Sequence, residues 1–264
     1  MTILDRLAAH ARERVMLAKQ NISLEEIRER ALALPHGEFA FEKALKKDEI
    51  AFICECKKAS PSKGVIAEDF PYLQIAKEYE SAGADGISVL TEPKWFLGDD
   101  RYLQEIARTV GIPCLRKDFT VDEYMIYEAK CLGASAVLLI CSILSEQQIK
   151  AYIKICDTLG LSALVEAHDE AEVKTALRCG ARIVGVNNRN LKDFSVDTEN
   201  SKRLRKLIPG DVVFVSESGV KTPEDVQLLR EIGADAALIG ETLMRAADKR
   251  QKLNELRGIY YDKD

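Results

Sequence analysis

Short apolar runs alternate with amphipathic stretches along almost the whole chain. Gly83-Ala84-Asp85-Gly86-Ile87-Ser88-Val89-Leu90 has close counterparts further on. They are Gly133-Ala134-Ser135-Ala136-Val137-Leu138-Leu139-Ile140, Gly180-Ala181-Arg182-Ile183-Val184-Gly185-Val186 and Gly233-Ala234-Asp235-Ala236-Ala237-Leu238-Ile239-Gly240. Each copy follows a stretch with helical spacing and opens a wholly apolar run. The leading glycine suits a helix C-terminus, where a left-handed backbone is wanted. The apolar run suits a parallel strand buried on both faces. The copies recur about every 50 residues, roughly two strand–helix units of a barrel. Four more apolar runs lie between or before them, at 50–57, 113–117, 162–167 and 212–217. Strands alternating with helices eight times predict an α/β fold, a single (β/α)8 TIM barrel. A doubly wound sheet shares the alternation, but the count and the even spacing favour the barrel.

Helix starts follow several strands. Thr120-Val121-Asp122-Glu123, Ser145-Glu146-Gln147-Gln148 and Asp169-Glu170-Ala171-Glu172 have the pattern of a cap with a reciprocal acid or amide three residues on. Thr222-Pro223-Glu224-Asp225 puts proline at the first helical position. Before the first strand, Leu4, Leu7, Ala11, Val15 and Ala18 recur at helical spacing, and Ser23-Leu24-Glu25-Glu26 starts a second helix that runs to about Leu34. Residues 1–48 are expected to be an N-terminal helical extension packed on a barrel of residues 49–264, one domain overall, because so short a segment holds no core alone.

The polar residues that interrupt this pattern carry the chemistry. In Ile53-Cys54-Glu55-Cys56-Lys57, an acid and a base two residues apart share one face at the end of a buried strand. A structural ion pair would explain that by itself. The feature recurs, however. Lys117 ends the third strand, Glu166 the fifth, Asn187 the sixth, and Glu217 with Ser218 the seventh. Alternation puts Leu115 with Lys117, Leu164 with Glu166, and Val215 with Glu217. Inward side chains from alternate strands form one layer, and barrel enzymes react at the C-terminal ends of their strands. Lys57, Lys117, Glu166 and Glu217 are therefore expected to meet at one site. Ser216-Glu217-Ser218-Gly219-Val220 and Ile239-Gly240-Glu241-Thr242 follow the last two strands, where glycines and a short helix suit a phosphate. Ser60, on the first loop, can reach the same side.

Composition narrows the class. A net charge of −5 lacks the basic excess of a nucleic-acid binder. No apolar run approaches the roughly 20 residues of a membrane span, and charged residues break up the start, unlike a secretory signal. The 7 cysteines are scattered in apolar segments and read as reduced, buried thiols of a cytoplasmic protein. Cys54 and Cys56 are expected to face outward, toward packed helices. The 3 histidines lack metal-ligand spacing, so no metal site is expected. His168 reads as a surface or capping residue beside Asp169, and Arg101, Arg108, Arg203 and Arg205 as solvated helix faces. Trp95 and Phe96 either contact an aromatic substrate or pack the rim.

Taken together, Ile53-Cys54-Glu55-Cys56-Lys57-Lys58-Ala59-Ser60-Pro61-Ser62-Lys63-Gly64, Leu115-Arg116-Lys117-Asp118-Phe119, Leu164-Val165-Glu166-Ala167-His168, Gly185-Val186-Asn187-Asn188-Arg189-Asn190-Leu191 and Ser216-Glu217-Ser218-Gly219 resemble the signature of the indole-3-glycerol phosphate synthase family. The resemblance covers nearly the whole chain, helical extension included; Cys56 and Glu241 are small departures. It implies ring closure, decarboxylation and dehydration of 1-(o-carboxyphenylamino)-1-deoxyribulose 5-phosphate, with no cofactor. It implies Lys117 as the acid at the ketone oxygen, with Lys57 second. Glu166 and Lys57 would divide the dehydration, and Glu55 would balance the lysines. Asn187 and Glu217 would hold substrate hydroxyls or the intermediate, and Arg189 the substrate carboxylate. Ser60, Ser218, Gly219, Gly240 and Glu241 would complete substrate and phosphate binding. The partner implied is a small phosphorylated molecule; other enzymes of the tryptophan pathway are not indicated. Two further readings stay open: a phosphosugar isomerase or epimerase on the same barrel, and a binding or scaffold subunit that keeps the fold without the chemistry. Two lysines at strand ends suit acid-assisted ring closure better than a lone carboxylate base, and a scaffold would not need Lys117 and Glu166.

Overall fold

A computed structural model describes residues 2–190 and 194–259. The eight apolar runs form parallel strands: β1 (Ala51–Cys56), β2 (Gly86–Leu90), β3 (Cys114–Lys117), β4 (Ala136–Ile140), β5 (Ser162–Ala167), β6 (Ile183–Asn187), β7 (Val213–Glu217) and β8 (Ala236–Ile239). They close into one barrel in chain order, with β8 returning to β1. Ile53 lies opposite Leu238 across the closing pair. Each strand is too apolar to expose either face, so helices cover the outside and side chains fill the inside. Gly83, Gly133, Gly180 and Gly233 take φ between +73° and +88°, the left-handed ends that the repeat predicts.

Local capping follows the sequence closely but not everywhere. Ser145 with Gln148 and Thr222 with Asp225 form reciprocal capping boxes. Asp169 accepts from the Glu172 N–H. The box expected at Thr120 and Glu123 does not form. The helix Tyr124–Cys131 begins later, and Asp122 Oδ1 accepts from the Tyr124 N–H instead. Tertiary contacts override the local signal here. Asp118 is pulled inward by Arg14 and Thr91, and the Phe119-Thr120-Val121 segment is buried with it.

The N-terminal segment packs along the barrel. Helix α1 (Ile3–Asn21) buries Leu4, Leu7, Ala11 and Val15, and α2 (Leu24–Leu32) ends two residues before Leu34. Arg14 of α1 makes a two-pronged ion pair with Asp118, next to Lys117, and His10 meets Glu92 at 3.1 Å. A short helix, α3 (Ala40–Leu45), escapes the hydrophobic pattern because it is under two turns long. Its Phe41 and Leu45 are fully buried. Its Glu42 N–H donates to Ser162 Oγ at the start of β5, so α3 closes the end of the barrel opposite the strand C-termini. On the outer surface, Cys54 and Cys56 are buried as expected. Arg116 is also buried there, ion-paired to Asp100 and Glu128 at 2.7 Å each. No helix among the described residues is long and apolar enough to cross a membrane.

Candidate active site

The C-terminal ends of the strands surround a cavity of about 560 Å³. All twelve candidate side chains and glycines named from the sequence line it: Glu55, Lys57, Ser60, Lys117, Glu166, Asn187, Arg189, Glu217, Ser218, Gly219, Gly240 and Glu241. Leu191, the last residue of one motif, lies outside the described residues. The strand register explains the convergence. Glu166 stands opposite Gly185 on β6, and Asn187 opposite Glu217 on β7.

The charges form two clusters. Lys57 Nζ donates to Glu55 Oε1 at 2.5 Å. Lys117 Nζ donates to Glu217 Oε2 at 2.5 Å and to Glu166 Oε2 at 3.2 Å. Glu55, Glu166 and Glu217 are at most 4% exposed, so their charges depend on these partners rather than on water. Three carboxylates thus face two ammonium groups. The imbalance falls on Glu217. Burial, with the Glu166 carboxylate adding to it, outweighs Lys117 and pushes its pKa up to about 7. Burial also works on Glu166, but Lys117, His168 and a hydrogen bond from Asn187 outweigh it and hold that carboxyl below its usual range. Burial disfavours the Lys117 ammonium, yet Glu217, Glu166 and Glu55 together keep it protonated well above the ordinary lysine range.

Glycines make this packing feasible. A Cβ on Gly185 would collide with Glu217 Oε1, and one on Gly240 would collide with Glu55 Oε1 and stand 2.9 Å from Lys57 Nζ. In the sequence Gly185 belongs to a repeat and a motif but carries no role of its own, since a glycine in an apolar strand gives no sign of what approaches it. Gly240 was expected to admit a phosphate; its missing side chain also makes room for the Lys57–Glu55 pair. Gly240 precedes the short helix Glu241–Met244. The Glu241 carboxylate is engaged by Arg245 Nε at 3.0 Å and lies 4.0 Å from Lys63 Nζ. Lys63, Lys221 and Arg245 line the same end of the cavity, adding positive charge that the sequence reading did not single out.

Phe96, Phe119, Ile3, Leu4 and Leu7 give part of the lining an apolar character. Phe96 and Phe119 lie 6.1 Å apart between ring centroids. Trp95 does not share this role: it packs edge-on against His10 at 5.4 Å, under Lys94 and Arg6. Leu4 and Leu7 were legible only as core positions of a helix. Asn187 Oδ1 accepts from the Arg189 N–H and from Ser218 Oγ, each at 3.0 Å, which ties the loops after β6 and β7 together. Arg189 donates one guanidinium N–H to the Phe194 carbonyl at 3.2 Å.

Two bland readings need correction. His168 keeps a capping contact, its N–H donating to Glu172 Oε2 at 2.8 Å, but it is no ordinary surface residue: its Nε2 lies 3.4 Å from Glu166 Oε1, and its Nδ1 3.1 Å from Glu172 Oε2. Arg205 is not simply a solvated face; it donates to the carbonyls of Gly233 and Ile208 and lies over Phe214.

A closed eight-stranded parallel barrel with ammonium and carboxylate groups gathered at its strand C-termini defines a (β/α)8-barrel enzyme. The indole-3-glycerol phosphate synthase family model matches residues 4–256. An indole-3-glycerol phosphate synthase of Ruminiclostridium cellulolyticum is 59% identical over 257 residues, covering 97% of this chain and 99% of the relative. One from Endomicrobium trichonymphae is 52% identical over 256 residues, with 97% and 99% covered. Among solved structures, 3-hexulose-6-phosphate synthase superposes with a TM-score of 0.64 at 17% identity, over 80% of this chain and 100% of that one. Thiamine phosphate pyrophosphorylase from Pyrococcus furiosus gives 0.59 at 17% identity, over 83% and 96%. These two likenesses concern the barrel fold alone. The chain belongs to the indole-3-glycerol phosphate synthase family, decarboxylating lyases of tryptophan biosynthesis that act on a phosphorylated small molecule.

Proposed function

We infer that Lys117 is the acid that drives ring closure of 1-(o-carboxyphenylamino)-1-deoxyribulose 5-phosphate in this cavity. The observation that carries the reading is the Lys117 ammonium, held between Glu217 and Glu166 in a largely buried site. The substrate's aryl ring takes the apolar lining of Phe96, Phe119, Leu4 and Leu7. Its phosphate takes the loops of Ser218-Gly219 and Gly240-Glu241, where backbone N–H groups are augmented by Lys63, Lys221 and Arg245. The ketone then falls between them, at the charged end of the strands.

The aryl carbon bearing the carboxylate attacks the ketone carbon, and the ketone oxygen takes a proton from Lys117. The bond to the carboxylate breaks, carbon dioxide leaves, and its electron pair restores the ring. Dehydration follows. The nitrogen lone pair helps expel the hydroxyl. Glu166, kept ionised by Lys117, His168 and Asn187, removes a proton from the ring carbon between nitrogen and the former ketone carbon, which forms the indole double bond. Lys57 delivers a proton to the departing hydroxyl, and Glu55 holds Lys57 in place. Asn187 and Glu217 bind hydroxyls of the substrate chain, Ser60 supports the first loop, and Arg189 faces the substrate carboxylate. The ionised carboxylate leaves as neutral carbon dioxide, so each turnover consumes one proton from solvent. Every cysteine is free, which supports a reducing compartment, the cytoplasm.

The test is direct. Purified protein with the anilino-deoxyribulose phosphate should produce indole fluorescence and carbon dioxide in equal amounts. Turnover of a simple phosphosugar, with no indole formed from the anilino substrate, would overturn the reading.

A further inference from the structure

We propose that His168 positions Glu166 and carries protons between it and solvent, acting from a second cavity behind the reaction site. That cavity, about 610 Å³, is lined by His168, Asp169 and Glu172 and shares Asn187 and Arg189 with the first. The proposal rests on Glu166 being the base of the proposed reaction.

The geometry sets the imidazole in one orientation. Glu172 Oε2 accepts both the His168 backbone N–H, at 2.8 Å, and the ring Nδ1, at 3.1 Å. Glu172 is in turn fixed by its own N–H, which donates to Asp169 Oδ1 at 2.9 Å. Asn200 Nδ2 donates to the His168 carbonyl at 3.1 Å. A carboxylate at Nδ1 requires a proton on that nitrogen. Nε2 then lies 3.4 Å from Glu166 Oε1, buried and without a hydrogen bond in this arrangement. Once aligned, the two atoms share a single proton, on the imidazole or on the carboxyl, which satisfies both. These two states differ by a single proton transfer over a gap that a small ring movement closes.

Exposure falls from the second cavity to Glu166. Glu172 and His168 side chains are 20% and 19% exposed, and Glu166 is 3% exposed. Beyond Glu166 stands Lys117, at 3.2 Å. The row Glu172–His168–Glu166–Lys117 thus runs from a cavity open to solvent to the acid that each turnover leaves short of a proton. In each cycle Lys117 and Lys57 give up protons and Glu166 gains one. After ring closure a proton from solvent reaches Lys117 through the imidazole and Glu166, and the proton that Glu166 takes in the dehydration leaves by the same route. Lys57, partly exposed on the first cavity, recovers its proton from solvent there, so the cycle takes up one proton in all. Burial disfavours the charged imidazole, but Glu172 of the following helix, Glu166 at its own strand end and Glu217 of β7 outweigh it and favour the protonated form. Asp169, Asp5 of α1 and Asp197 add negative charge around the cavity, and Arg189 and Arg203 oppose it.

The experiment compares His168→Gln, His168→Ala, Glu172→Gln and Glu166→Gln in the full chain, with circular dichroism as the check on folding. His168→Gln keeps volume and hydrogen bonding but carries no proton. It should lower kcat by about tenfold or more, leave KM nearly unchanged, and steepen the loss of rate toward high pH, where protons are scarce. Glu172→Gln should move the pH profile in the same direction by a smaller amount. Added imidazole should restore kcat of His168→Ala in a saturable manner. An unchanged kcat in folded His168→Gln would overturn the proposal. So would a lowered kcat with an unshifted pH profile and no imidazole rescue, the signature of a merely structural residue. Near-normal turnover in Glu166→Gln would instead remove the base assignment, and the proposal with it; loss in Glu166→Gln with full activity in His168→Gln would remove the proposal alone.

Discussion

Lys117→Ala removes the ammonium that holds two buried carboxylates together, and its effects on rate and on stability can be worked out separately. A positioned acid contributes about 10²–10⁴ to a rate, or about 3 to 5 kcal/mol of barrier. Turnover should fall by that factor while KM changes much less, because the ketone oxygen needs the proton only as the new bond forms. The stability effect depends on pH. Without Lys117, Glu166 and Glu217 face each other in a dry site, and breaking a buried ion pair costs about 3–5 kcal/mol if both stay ionised. Glu217 can relieve this by holding a proton. Its pKa is already raised from an ordinary 4.5 to about 7, and losing the lysine raises it further. A folded pKa above the unfolded one gives stability that is fully present below the unfolded value and is lost as pH rises through the folded value. In the parent chain that loss occupies the window from 4.5 to about 7. In Lys117→Ala it continues above pH 7, at about 1.4 kcal/mol per pH unit while the folded state holds one extra proton. The variant should therefore be only mildly destabilised near pH 5.5 and markedly so near pH 8.5. Urea unfolding at both pH values and steady-state indole fluorescence make the measurement. A destabilisation equal at both pH values would refute the shared-proton picture, and near-normal turnover in the folded variant would move the acid role to Lys57.

Gly185→Ala puts a methyl group into the Glu217 carboxylate and should pull it off Lys117; kcat should fall, and the loss should not add to that of Glu217→Gln. Additive losses in the double variant would mean that the two residues do not act together. Gly240→Ala crowds the Lys57–Glu55 pair and should lower kcat as well as phosphate affinity, whereas a pure phosphate contact would move KM alone; inorganic phosphate inhibition and steady-state kinetics distinguish these. Arg14→Ala leaves Asp118 buried without its two-pronged partner and should cost about 3 kcal/mol. It should also lower activity by loosening α1 from the loop after Lys117. A single unfolding transition, shifted as a whole, is the expected result, and separate melting of the N-terminal helices would contradict it.

The sequence by itself determined the elements and the side of each strand on which a residue stands. Period-two alternation fixes side-chain direction within a strand, so Lys57, Lys117, Glu166 and Glu217 could be placed at one mouth without coordinates. The glycines that end the helices and the caps at Ser145 and Thr222 are likewise local chemistry, settled within one turn of chain. What tertiary structure alone decided is who meets whom. Lys117 pairs more closely with Glu217, 100 residues away, than with Glu166. Gly185 yields its space to Glu217, and Arg14 reaches Asp118 across 104 residues. His168 looked like a helix-start residue because its sequence neighbours are capping residues. Its ring turns toward Glu166 only because Glu172 clamps it from the following helix. The Thr120 cap failed for the converse reason, since burial around Asp118 outweighed a local hydrogen bond. Periodicity encodes direction, whereas distance, burial and the resulting proton affinities arise only when the barrel closes and brings remote strands to one centre.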